Sequence, residues 1–357
     1  MGRDELLKSI VSGEKRRLIR SPAYLFLYLL SLPYGLLIRL RNLLYDMGLF
    51  RVRRAAAKVI SVGNLTVGGT GKTPLVAYLV ERAIAVGFRP AVIARGYRGA
   101  LHGGEWLNDE GLLLKEKFPG LIVIQNPDRV AAAQRAVDEE GADLIILDDA
   151  FQHRRIARDV NLVTVDGRAP FGNGRILPAG ILREPISGIA RADAIVLTRC
   201  AGIGRETIAA IEGRLATLAP GVPVFLTEHA PLGVRPLGGG EEFSDHSLSG
   251  KKLFLCSGIA LPESFRKTVE SLGGTVCGER FFADHHDYGE TDVDGIIESA
   301  RAEGAETIVT TEKDAVKLSR FEKARAFFVL GIAIRFRGGE EEFHRLLVGL
   351  RSPASAG

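Results

Sequence analysis

"SVGNLTVGGTGKTPLVAYLV" occupies residues 61–80, and its reading decides the fold. The common phosphate-gripping pattern is G-x-x-x-x-G-K-[ST]. Gly71-Lys72-Thr73 complete its end, but Thr66 stands where the opening glycine belongs. The flanks are nevertheless right. "KVISV" (58–62) has the make-up of a buried strand, and "TPLVAYLVERAIAVG" (73–87) sets Leu75, Val76, Leu79, Val80 and Ala83 at helical spacing, with Gly87 as the stop. In a strand–loop–helix unit, Gly68, Gly69 and Gly71 let backbone N–H groups turn toward an anion, and the helix N-terminus adds partial positive charge. Thr66, Val67, Gly68, Gly69, Thr70, Gly71, Lys72 and Thr73 are therefore read as a nucleotide loop. Lys72 reaches the β- and γ-phosphates and the Thr73 hydroxyl binds Mg²⁺. An opening glycine eases a sharp turn but touches no transferred phosphate, so its loss weakens the pattern more than the chemistry.

Outward from the loop, short apolar runs alternate with helical stretches. Strands are expected at 90–94, 121–124, 143–147, 161–165, 193–198, 223–227, 252–257, 307–311 and 327–334. Continuous apolar strands between helices mean a parallel sheet covered on both faces. The run "ADLIILDD" ends in acid, which puts Asp148 where a carboxylate holds Mg²⁺ through water, with Asp149 adjoining it. The glycine-rich, charged stretch 233–250 marks a passage between domains. The expected organisation is α/β: a P-loop NTPase-like parallel core at 55–232, a smaller α/β domain at 233–357, and a membrane-associated helical segment at 1–54.

Charge supports that division. The net charge of +4 hides 12 Lys/Arg against 4 Asp/Glu in residues 1–58, so the basic character belongs to one end. That argues against a nucleic-acid groove across the main fold and for an anionic membrane surface met by the N-terminal segment. The apolar run Pro22–Ile38 is interrupted by Pro33 and Gly35, and its 17 residues fall short of the roughly 20 a spanning helix wants. Beyond Gly35, Leu36, Leu40, Leu43, Leu44 and Met47 share a face opposite Arg39, Asn42 and Asp46. A helix lying among headgroups is the expectation, against the plainer alternative of helices packed on the protein itself. Three separated cysteines form no C-x-x-C pair and fit a reducing cytosol.

Seven stretches in order, "GNLTVGGTGKTP", "ARGYRG", "LNDEGLLL", "LDDAFQHRRIARDVNLVTVD", "FGNGRILPAGILREP", "FFADHHDY" and "TEKDAVK", resemble the tetraacyldisaccharide 4′-kinase family, from the N-terminal segment to about residue 320. The resemblance implies an inner-membrane enzyme, acting at the cytoplasmic face, that uses ATP to phosphorylate the 4′-hydroxyl of a lipid A disaccharide 1-phosphate. It also implies that threonine at position 66 is ordinary. The family's catalytic carboxylate falls on Asp109 and its partner histidine on His285, with His286 adjacent. An Asp–His couple can take a proton from a sugar hydroxyl near neutral pH. Gly111 stands where the family usually has proline. Two adjacent histidines point different ways and lack a third ligand, so "ADHHD" is not read as a metal site.

Arg129, Gln152, Arg183 and Glu184 follow strands, where open α/β sheets place ligands, and are read as serving the substrate or ATP. Arginine suits the acceptor's phosphate. "TEKDAVK" (311–317) has surface charge as its default reading. Competing readings are a membrane-associated GTPase and a nucleotide-dependent scaffold. The first wants N-K-x-D, which is absent from the sequence, and the second needs neither Asp109 nor His285.

Overall fold

The strand Lys58–Gly63 sits inside a parallel sheet because both of its faces are apolar: Val59, Ile60 and Val62 are buried. The computed structural model describes residues 22–96, 100–102, 105–239 and 248–349, which form two compact units. Unit 1 comprises 1–95, 122–228 and 335–357, and unit 2 comprises 96–121 and 229–334. The linear partition expected from the sequence breaks the chain at 54/55 and at 232/233. The units instead exchange chain at 95/96, 121/122, 228/229 and 334/335. Two of these passages fall inside the strands Val224–Pro236 and Phe328–Phe336, where no glycine-rich or polar break announces them.

In unit 1 the parallel order runs from Val224–Leu226 through Ala194–Thr198, Val160–Asp166, Lys58–Gly63, Leu144–Leu147 and Pro90–Ala94 to Ile122–Gln125. The first strand thus lies between Leu144–Leu147 and Val160–Asp166, and the next in sequence is displaced by one place. That is the switch point at which such sheets open a crevice at their carboxyl ends. The helix Lys72–Ala85 buries Leu75, Val76, Leu79, Val80 and Ala83, and Gly87 follows it with φ 84°. Unit 2 has its own parallel strands, Thr275–Phe281, Lys252–Ser257, Thr307–Thr311 and Phe328–Leu330 in spatial order, over a core that includes Phe254, Tyr288, Ile296 and Phe327. The strand Thr275–Phe281 and the hairpin Ala100–His102/Glu105–Leu107 were not expected, because neither carries an apolar run bounded by turn residues.

The interruption expected at Pro33 and Gly35 does not occur. Pro22–Asp46 is one helix of 25 residues with Pro33 inside it. Proline in a helix interior costs about 3 kcal/mol in isolation, and here tertiary contacts outweigh it. Gly35 is buried with Ile176 so close that an added Cβ would lie 3.3 Å from it, and the Tyr34 hydroxyl donates to the Arg183 carbonyl at 2.9 Å. Within unit 1 the helix is packed inside out. Tyr28, Ser31, Tyr34, Ile38, Arg41, Asn42 and Tyr45 face the unit, while Leu25, Phe26, Leu29, Leu32, Leu36, Leu37, Leu40 and Leu43 are exposed. By length and composition the helix is long and apolar enough to cross a membrane. Residues 1–21, with much of the basic charge expected to meet a membrane, lie outside the described residues.

Candidate nucleotide loop and acid–base cluster

The loop in unit 1 starts from Asn64, which directly follows the central strand and is fully buried. Its Nδ2 donates to Thr66 Oγ1 at 3.3 Å, and its Oδ1 accepts from Lys72 Nζ at 3.3 Å. Thr66 is extended rather than turned: it bridges Leu182 in antiparallel fashion, flanked by Val67 N–H to the Ile181 carbonyl and Arg183 N–H to the Leu65 carbonyl, both 2.7 Å. The left-handed backbone falls at Gly68 (φ 103°) and Gly71 (φ 79°) instead. A β-branched residue is at home in an extended segment, so position 66 has no need of glycine. Gly68 and Gly69 are exposed at the loop's apex, while Thr70 is buried, its hydroxyl 2.6 Å from that of Thr164 and its carbonyl accepting from Thr198 Oγ1 at 2.8 Å. Arg199 donates to the Gly69 carbonyl at 2.6 Å and to Asp166. The sequence reading missed Asn64, Asp166, Thr198 and Arg199; their signal was position, at the carboxyl ends of three parallel strands.

Around Lys72 the charges are matched. Its ammonium lies 3.3 Å from Asp149, which also receives Arg183 Nη1 at 2.8 and 2.9 Å. Burial alone would raise the Asp149 carboxyl; Lys72 and Arg183 reverse that and hold it below its usual range. Asp149 has φ 49°, a left-handed conformation costing a non-glycine residue about 1–2 kcal/mol, so its contacts fix it there. Asp148 ends the same turn, its N–H on the Ile93 carbonyl at 2.9 Å. Arg129 is not in a loop as expected: it opens the helix Arg129–Asp138 and is 5% exposed. Burial lowers its pKa, while the charges of Asp149 and Asp148 act to raise it. Thr73, Asp148 and Asp149 carry oxygen donors of the kind Mg²⁺ takes beside phosphate oxygens and water, and of these Asp149 is already held by Lys72 and Arg183.

Gln152 and Glu184 were expected at the substrate, and both are engaged inside the unit. Gln152 Nε2 donates to the Asn64 carbonyl and to Glu184 Oε1, each 2.8 Å. The Glu184 side chain is 1% exposed and also accepts from Arg191 at 2.6 Å and from Asn42 at 3.1 Å.

Unit 2 contributes a separate cluster. Asn108 caps the helix Asp109–Lys117 by accepting from Gly111 N–H at 3.0 Å, a bond that a proline at position 111 could not make. Asp109, in the first turn of that helix, meets His285 Nδ1 at 3.0 Å through Oδ2. Lys317 Nζ reaches the same oxygen at 3.0 Å and the His286 carbonyl at 2.8 Å. Burial would raise Asp109; the His285 hydrogen bond and the Lys317 charge overcome it and bring the carboxyl down to about 2. The bond to Asp109 raises His285, against burial and Lys313, whose Nζ is 3.3 Å from His285 Nε2. His285 has φ 62°. His286 points elsewhere: its Nε2 is 3.0 Å from Asp292 Oδ2 and its ring stacks on Phe282. Geometry therefore pairs His285, not His286, with Asp109.

"TEKDAVK" is not surface charge. It forms the helix Glu312–Leu318, capped by Thr311, and delivers Lys313 and Lys317 to the two members of that pair. Its Asp314 is fully buried and accepts from Gly258 N–H and the Tyr288 hydroxyl, both 3.0 Å, and from the Thr311 hydroxyl at 2.7 Å. One buried acid thus ties the helix to the segment carrying His285. Only contact in space reveals this role.

The family model described as tetraacyldisaccharide-1-P 4′-kinase (LpxK) matches residues 23–350. The tetraacyldisaccharide 4′-kinase of Syntrophus aciditrophicus is 40% identical over 328 residues, covering 85% of this chain and 87% of that protein. The enzyme of the same name from Pelobacter propionicus is 39% identical over 337 residues, 90% and 91%. The crystal structure of LpxK from Aquifex aeolicus in complex with ATP superposes with a TM-score of 0.73 at 30% identity, covering 90% of this chain and 97% of that one.

Proposed function

We infer, since the chain belongs to the tetraacyldisaccharide-1-P 4′-kinase family, how its own residues carry out that reaction. The protein is an ATP-dependent phosphotransferase that acts on the 4′-hydroxyl of a tetraacyldisaccharide 1-phosphate and yields the 4′-phosphorylated lipid A precursor. Membership of this family leaves no ground for the GTPase and scaffold readings.

Residues 66–73 hold the triphosphate: the amides at Gly68–Gly71 face its oxygens and Lys72 offsets charge on the β- and γ-phosphates. Thr73, Asp148 and Asp149 would hold Mg²⁺, which neutralises charge on the phosphates when bound. Asp109 takes the proton from the 4′-hydroxyl as the oxygen forms its bond to the γ-phosphorus, and the bond from that phosphorus to the β–γ bridging oxygen breaks, releasing ADP. His285, donating from Nδ1 to Asp109, orients the carboxylate toward the hydroxyl. Arg129 and Arg183 serve the phosphates of the substrate or of ATP, and Gln152 and Glu184 serve by bracing Asn64 at the start of the loop.

The exposed leucine face of Pro22–Asp46 seats the enzyme in the cytoplasmic leaflet of the inner membrane, where its glycolipid acceptor resides. A leucine surface turned outward, with polar and aromatic residues turned inward, is what an apolar solvent selects.

The observation carrying this reading is the 3.0 Å contact between Asp109 and His285, with Lys317 on the same carboxylate oxygen. Labelled ATP with tetraacyldisaccharide 1-phosphate in mixed micelles tests it. Wild type yields a bis-phosphorylated product, and Asp109→Ala loses about 10²–10⁴ in turnover while still binding ATP. Full turnover by Asp109→Ala removes the base assignment.

A further inference from the structure

The apolar helix does more in unit 1 than expose leucines. Its inward stripe ends on the residues that build the nucleotide loop. Asn42 Nδ2 donates to Glu184 Oε2 at 3.1 Å; Glu184 Oε1 accepts from Gln152 Nε2 at 2.8 Å. The same Gln152 amide donates to the Asn64 carbonyl at 2.8 Å, and Asn64 Oδ1 accepts from Lys72 at 3.3 Å. A second strand of contacts runs beside it. Tyr34 donates to the Arg183 carbonyl, and Arg183 both ladders with Leu65 and clamps Asp149, the ion-pair partner of Lys72. Arg41 donates to the Gln152 carbonyl, and Arg154 donates to the Asn42 carbonyl at 3.0 Å and to Asp46 at 2.7 Å.

Glu184 is the junction. Its carboxylate is almost wholly removed from water and takes three donors, Asn42 and Arg191 on Oε2 and Gln152 on Oε1. A buried carboxylate that loses one donor re-forms its remaining bonds, because an unsatisfied buried charge costs more than a rearranged one. With Asn42 gone, Glu184 draws toward Arg191 on Oε2, and that shift reaches Asn64 through Gln152 on Oε1.

We propose that Asn42, on the apolar helix, is a positioning residue for the nucleotide loop: through Glu184 and Gln152 it fixes Asn64, and so the reach of Lys72. The helix is then part of the ATP site as well as a seat in lipid. Because coupling between binding equilibria is reciprocal, a helix loosened from the unit weakens ATP binding, and bound ATP tightens the helix. This rests on the reading that residues 66–73 hold the triphosphate.

The test is calorimetry of Mg·ATP binding to the full chain in neutral detergent micelles, with kcat and the KM for ATP measured alongside. Asn42→Ala is expected to weaken ATP binding about fivefold, with KM moving more than kcat, within the range by which such networks couple sites. Asn42→Asp, which sets a second carboxylate against Glu184, weakens it further. Leu36→Ser, on the exposed side, leaves ATP affinity unchanged. Hydrogen exchange at residues 64–72 supplies a second measurement, faster in Asn42→Ala than in wild type. Wild-type ATP affinity in both Asn42 variants, whether or not their melting temperatures fall, overturns the proposal. If Lys72→Ala also binds ATP normally, the loop reading itself fails; if Lys72→Ala loses ATP while the Asn42 variants do not, only the positioning role fails.

Discussion

The nucleotide loop of unit 1 and the acid–base cluster of unit 2 hold charge by different means. The loop is framed by the backbone: extended Thr66, left-handed Gly68 and Gly71, and hydroxyls of Thr70, Thr164 and Thr198 bonded to one another or to carbonyls in the interior. Lys72 extends from that frame onto Asn64 and Asp149, so its reach follows those two contacts. The cluster is framed by side chains. Asp109, His285, Lys313 and Lys317 hold one another in partial contact with solvent, and their common anchor is buried Asp314. A frame of amides preserves geometry under substitution, while a frame of mutually dependent charges passes a single change on to the pKa of its neighbours.

Removing Lys72 probes the first frame hardest. Lys72→Ala should lower kcat by about 10²–10³, with a melting temperature within about 2 °C of wild type, since Arg183 still pairs with Asp149. A melting loss as severe as the activity loss would mean that the lysine is part of the frame. The second frame should respond to a neighbour. Lys317→Met removes one of the two partners that hold Asp109 at about 2 and leaves His285 alone against burial, so the carboxyl rises toward its ordinary range. The expected outcome is a kcat/KM that begins to fall below about pH 5, near the ordinary carboxyl range, where wild type stays level; Lys317→Arg restores the plateau. Superimposed profiles would show that Lys317 is merely structural.

The smallest effect concerns the stability of that pair. The folded pKa of His285 is raised, so its contribution is fully present below the unfolded value of 6.5 and is lost as pH rises through the folded one. The folded pKa of Asp109 is lowered, so its contribution is present above 3.8 and is lost as pH falls toward about 2. His285→Asn should therefore cost more stability at pH 6 than at pH 9. With His285 a third exposed, solvent screens the pair, and the difference should be no more than about 2 °C in melting temperature. Equal losses at both pH values would mean that the imidazole is not charged by Asp109.

The sequence by itself determined the parallel core, the strand–loop–helix unit around Gly68–Lys72 despite Thr66, and the carboxylates beyond "LIIL". These follow from local rules: continuous apolar runs, glycines before a helix, acid after a buried strand. Asp109 and His285 were legible only through resemblance, since nothing in "NDE" or "DHHD" marks a base. Tertiary structure alone decided that 22–46 is one helix across Pro33, that "TEKDAVK" serves the Asp109–His285 pair, and that Glu184 and Gln152 look inward to Asn42 and Asn64. In each case the deciding partner lies far off in the chain. A polar side chain's role depends on which donor or acceptor reaches it once water is excluded, and spacing along a sequence carries no record of that.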